Sequence, residues 1–101
     1  MSMKVHELKS LSYNFEKVIS GEMSFQLRRD DRKYQVGDIL VLKEILKQVH
    51  DEDIYSGRIQ VCKVNNILTH ADGLQRGFVL LNVQLIHLHV SKEGIRYETN
   101  I

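Results

Sequence analysis

Apolar and polar positions alternate with a period of two along most of this chain and with a helical period only once. Residues 3–9 read as a short first strand. Leu11, Phe15, Val18 and Ile19 then fall at i, i+4, i+7 and i+8, which puts one apolar stripe on a helix over residues 11–20. Ser10 or Ser12 is placed to cap its start, and Gly21 stands where a left-handed residue would end it.

From Ser24 to Arg29 the alternation is clean. Phe25 and Leu27 share one face, predicted to be the buried one, and Ser24, Gln26 and Arg28 share the polar face. Residues 30–33 and 36–38 read as turns, with Gly37 free to take a positive φ. Residues 39–46 form an apolar strand, 50–53 an acidic loop, and 57–69 and 78–90 two long strands. In the last of these Val79, Leu81, Val83 and Leu85 share a face, then Ile86, Leu88 and Val90 share the other. The slip predicts a β-bulge at Leu85–Ile86. Residues 91–94 predict a hairpin turn into a final strand near 95–99.

The sum is five or six strands and one main helix. The class is α+β: a small, mostly antiparallel barrel or curled sheet with the helix packed on it. A parallel βαβ fold, with a helix between successive strands, does not fit. The chain has 101 residues, which suits a single domain over 1–101.

Composition narrows the chemistry. The formal net charge is +1, so any nucleic-acid contact must come from a local basic patch rather than the overall field. A single cysteine, Cys62, excludes an intramolecular disulfide and reads as a strand thiol. The first residues lack a signal-peptide apolar core, and no apolar run approaches the ~20 residues of a membrane span, so a cytoplasmic location away from membranes is expected. No glycine-rich phosphate loop or dinucleotide motif is present, and no cofactor is expected.

The densest chemistry is the hairpin Arg28, Arg29, Asp30, Asp31, Arg32 and Lys33. Its guanidinium groups match phosphate oxygens in a two-pronged geometry, although a solvated turn with mutual ion pairs has the same pattern. Arg28 stands apart because it sits in the strand beside Gln26. His6 and Lys9 form a second polar cluster at the first strand. His87 and His89 share a strand face but fall short of the three or four ligands that zinc needs, so no metal site is expected. Tyr13, Tyr34 and Tyr55 offer stacking surfaces.

Several segments in order carry a family resemblance. His6-Glu7-Leu8-Lys9, Phe15…Val18…Gly21, Phe25-Gln26-Leu27-Arg28, Asp31-Arg32, Val36-Gly37-Asp38, Leu42…Glu44, Tyr55-Ser56-Gly57 and Gly77-Phe78-Val79-Leu80 together resemble a small ASCH-type domain. The likeness is to the bacterial and phage branch of unassigned function, within the PUA-like superfamily of small β-barrels. It covers about residues 4–85 and leaves 86–101 as an added C-terminal strand or hairpin.

The resemblance implies a cleft beside the helix and the strand after Gly21, and binding of RNA or a nucleotide there. Arg28, Gln26, Lys9, His6, Arg32, Glu44 and Tyr55 are the implied ligand-side residues, with Gly21, Gly37 and Asp38 shaping the turns. Amidohydrolase members of that group carry a lysine and a threonine where this chain has Met23 and Gln26. Neither can shuttle a proton or act as a nucleophile, which speaks against that activity.

Three functions follow from the sequence. The first is an RNA- or nucleotide-binding module. The second is a phage or bacterial accessory factor that binds protein on the same scaffold, with the C-terminal strand offering an edge for a partner or a homodimer. The third is an enzyme on a modified nucleoside, using Lys9, Glu44 or His6.

Overall fold

The computed structural model describes residues 3–70, 73–91 and 94–99, with side chains to residue 86. The element order is β1 (Val5–Leu11), α1 (Ser12–Ile19), β2 (Phe25–Arg29), β3 (Ile39–Val49), β4 (Glu52–Leu68), β5 (Phe78–Ser91) and β6 (Gly94–Thr99). All the strands belong to one sheet in the order β1-β3-β4-β5-β2, with β6 also paired to β5.

The sheet is mixed. β1 runs parallel to β3, from Val5 opposite Ile39 to Leu11 opposite Ile45. The other pairings are antiparallel. The predicted barrel is therefore corrected to an open sheet, because β1 and β2 are the ends of the order and no strand ladder joins them. The parallel pair was missed because α1 and β2 intervene, so β3 returns beside β1 without a simple βαβ unit.

Local chemistry sets the elements. α1 buries Phe15 and Val18 on the predicted stripe. Leu11 is exposed and closes β1 instead of opening the helix. Neither serine caps α1: Ser10 is buried in β1, and Ser12 donates to the Ile45 carbonyl at 3.2 Å. Gly21 has φ +83 as the helix ends, and its N–H donates to Val18 O at 3.1 Å. The acidic loop is shorter than predicted. His50 and Asp51, both at positive φ, make a two-residue hairpin turn, and Glu52 and Asp53 already pair in β4.

The main core joins α1 to one sheet face. Phe15 and Val18 pack with Leu8, Leu40, Leu42, Cys62, Val64 and Leu81. Ile39, Val61 and Ile86 form a second cluster with Val41. That second cluster explains the phase slip in β5. Ladder pairing runs unbroken through Leu85–Cys62 and Ile86–Val61, so no bulge lies there. The buried side changes instead. The register shifts fall at Lys43–Lys47 in β3 and between Val64 and Asn66 in β4. His87 and His89 have side chains outside the described set, and Lys92 and Glu93 of the last turn lie outside it altogether.

Candidate functional site

Strand β2 is turned over relative to the sequence expectation. Its cross-strand partners decide this: Gln26 faces Leu81 and Arg28 faces Val79, both core residues of β5. Opposed residues share a face, so Gln26 and Arg28 point inward. Phe25 and Leu27 go outward, at 50% and 58% exposure, while Gln26 is 5% exposed. The predicted apolar-in reading of this strand is corrected, and its polar face enters the seam between the edges β1 and β2.

Arg28 spans that seam. Its Nη1 donates to the Lys9 carbonyl on β1 at 3.1 Å, and its Nη2 donates to Gln26 Oε1 at 3.0 Å. Its Nε is buried with no partner among the described residues, and so are Gln26 Nε2 and Ser10 Oγ. Among the described residues, no carboxylate lies within ion-pair distance of Arg28. Burial pulls its pKa down and neighbouring Arg32 adds to that, yet a guanidinium keeps its charge. Among the described residues, this half-buried cation is thus held by neutral acceptors alone.

Two clefts meet at this side chain. The first, about 420 Å³, is lined by Lys9, Arg28, Arg29, Arg32 and Lys43 against the carboxylates Glu7 and Asp31, with Tyr34 and Tyr55 as aromatic walls. Lys9 pairs with Asp53 at 2.5 Å and Lys43 with Glu7 at 3.3 Å. Arg29 stacks over Phe78, its guanidinium carbon 5.2 Å from the ring centre. The second cleft, about 440 Å³, contains Ser10, Asn14 and Gln26, with apolar walls from Leu11, Met23, Phe25 and Leu27. Lys9 and Arg28 line both.

The seam therefore gathers Arg28, Gln26, Lys9, Arg32 and Tyr55 of the residues singled out from sequence. His6 and Glu44 line neither cleft. His6 Nε2 lies 2.9 Å from Asp38 Oδ2, buried and edge-on to Tyr34 at 4.8 Å. Asp38 also accepts from the Gln35 and Lys4 amides, at 2.9 and 3.1 Å. Burial pushes the Asp38 carboxyl up, but these hydrogen bonds outweigh it and hold the pKa below the ordinary value. Asp38 thus ties the Gly37 turn to the start of β1. Gly37 itself has φ +96.

Glu44 is fully enclosed and accepts two hydrogen bonds from Arg58, at 2.8 and 2.7 Å. Arg58 also pairs with Glu16 of α1 and covers the Phe15 ring at 5.0 Å. These bonds, Arg58 first and then Ser56, bring the Glu44 pKa to about 2. The cluster clamps α1 to β3 and β4.

Sequence reasoning passed over Ser10 and Asn14 as seam residues and named Tyr34 only as a stacking surface. The available signal was in β1, where His6, Leu8 and Ser10 alternate inward with polar residues on both sides of a leucine.

The sequence pattern of one family, described as a domain of unknown function (DUF3850), matches residues 5–83 and so takes in β1, β2 and the whole seam. The chain belongs to the DUF3850 family. It is also similar to an "uncharacterized 12.9 kDa protein in GpA 3'region" of Escherichia phage P2. The two are 29% identical over 82 residues, covering 81% of this chain and 70% of the phage protein. The family match stops before β6, so the seam belongs to the shared part of the fold and the last strand does not. Among the described residues no helix is long and apolar enough to cross a membrane.

Proposed function

We propose that this DUF3850 domain is a binding module for a nucleotide or a short single-stranded RNA, held in the seam between β1 and β2. The observation that carries the reading is Arg28, a half-buried guanidinium with no carboxylate partner among the described residues, opening on both clefts. Withdrawing a cation from water without a counter-charge is costly, and an anionic ligand supplies that charge. Phosphate suits it because a guanidinium offers two parallel N–H groups to two oxygens. Arg32 extends the positive field along the first cleft, and Tyr34 and Tyr55 give planar surfaces beside it. The ASCH-type resemblance points to the same class of ligand.

Binding is favoured over catalysis because the groups available for proton transfer are engaged elsewhere. Lys9 is paired with Asp53, Glu44 with Arg58 and His6 with Asp38. Met23 packs against the core.

The test is an anisotropy titration of a labelled short RNA or nucleotide against the wild type and Arg28→Ala. Loss of one charge-assisted contact of ~1.5–3 kcal/mol corresponds to roughly 10–100-fold weaker binding. Superimposable curves would remove Arg28 from the site.

A further inference from the structure

We infer that the two clefts are halves of one nucleotide site divided by the Arg28 side chain, and that the half containing Ser10 and Gln26 receives a base bearing carbonyl acceptors, as uracil does. The inference rests on the nucleotide reading above and specifies which base the site takes.

Its starting point is the pattern of unmet hydrogen-bonding capacity. Ser10 and Gln26 are 3% and 5% exposed, yet Ser10 Oγ and Gln26 Nε2 have no partner among the described residues. Buried polar groups are nearly always satisfied, so orphans gathered along the lining of one cleft call for a ligand. The orientation of the Gln26 amide is fixed by Arg28. Nη2 donates to Oε1, and the flipped amide would set two donors against each other. The amide N–H groups are therefore the unspent end. Together with the unspent Arg28 Nε–H, they make the buried wall a set of donors with one hydroxyl able to act either way.

Such a wall selects acceptors. Uracil presents two carbonyl oxygens, with a ring N–H between them for the Ser10 oxygen. Adenine has no carbonyl, and its exocyclic amino group is a donor that would oppose the Gln26 donor. The cleft's other surfaces suit a flat ring, since Leu11, Met23, Phe25 and Leu27 supply apolar walls.

The orphan atoms are enclosed in this structure, so the ligand must move Arg28. The side chain is held by two neutral acceptors, the Lys9 carbonyl and the Gln26 amide oxygen. A phosphate in the first cleft is the stronger partner. Drawing the guanidinium off the Lys9 carbonyl towards it, with Nη2 still donating to Gln26 Oε1, joins the two clefts and uncovers Ser10 and Gln26 to the base. Arg28 thereby couples the phosphate half to the base half.

The experiment is isothermal titration of the full chain with uridine monophosphate, adenosine monophosphate and inorganic phosphate. The wild type is compared with Gln26→Met, which keeps the side-chain length without its donor, and with Ser10→Ala. The expected result is wild-type binding of the uridine nucleotide about 10-fold or more tighter than the adenosine nucleotide or phosphate. Both variants should bring the uridine-to-adenosine ratio close to one. Equal affinity for the two nucleotides, both tighter than phosphate, would overturn the base selection and leave the nucleotide site standing. Phosphate binding as tightly as either nucleotide would overturn the base half altogether. Binding of none of the three would overturn the nucleotide reading on which the inference rests. Should Gln26→Met fail to fold, Ser10→Ala decides alone, and its unchanged preference for uridine would sink the proposal.

Discussion

Replacing Ser10 by alanine should stabilise the protein even though Ser10 belongs to the candidate site. The hydroxyl is buried in β1 and meets no partner among the described residues, so folding strips it of water without return. That desolvation amounts to ~1–3 kcal/mol for an unpaired group. Alanine removes the hydroxyl and leaves a void of one oxygen atom, which costs a few tenths of a kcal/mol at roughly 24 cal/mol per Å³. The net gain is about 1 kcal/mol, or a rise of ~4–8 °C in Tm for a domain of this size. Urea denaturation and thermal melts of the free protein read it directly. Ser12→Ala supplies the contrast, because its hydroxyl donates to Ile45 O at 3.2 Å. Its loss should cost ~0.5–1.5 kcal/mol. A Ser10→Ala protein destabilised by ~1 kcal/mol or more would show that the hydroxyl is satisfied after all, and the orphan-donor reasoning would fail with it. A gain in stability accompanied by weaker ligand binding is the signature of a residue kept for function.

Two further outcomes follow from buried titratable groups. The Glu44 pKa is lowered from 4.5 to about 2 by Arg58, so its contribution to stability is complete above the unfolded value and lost as pH falls from about 4.5 towards 2; Glu44→Gln should flatten the acid limb of a stability-versus-pH series in that window, and an unchanged slope would refute it. Cys62 is fully buried and its thiol is pushed up to about 12 by desolvation, so a thiol reagent at neutral pH should label it only after unfolding, and rapid labelling of the folded protein would contradict the packing.

Much of the candidate site's grouping of residues was legible in the sequence. Arg28 stood out as a strand residue sharing a face with Gln26, and that pairing holds. Lys9, Arg32 and Tyr55 do reach the same cleft as Arg28. His6 and Glu44 fall outside the seam because each is buried against a hydrogen-bonding partner that only the fold brings to it. The partners, Asp38 for His6 and Arg58 for Glu44, lie 32 and 14 residues away. Nothing local in the chain announces either pair.

By itself the sequence determined what is local. Period-two alternation marked the strands, one helical stripe marked α1, and glycines at 21 and 37 marked two turns that need positive φ. It determined too that Phe25 and Leu27 take one side of β2 and Gln26 and Arg28 the other. Which side faces inward was decided only by the tertiary structure. Alternation is symmetric between the two faces of a strand, and the choice belongs to the register with β5, which sets Gln26 against Leu81 and Arg28 against Val79. The open edge between β1 and β2 was decided the same way. Strand order is a property of long-range pairing, and it left one arginine to bridge the seam where no ladder forms.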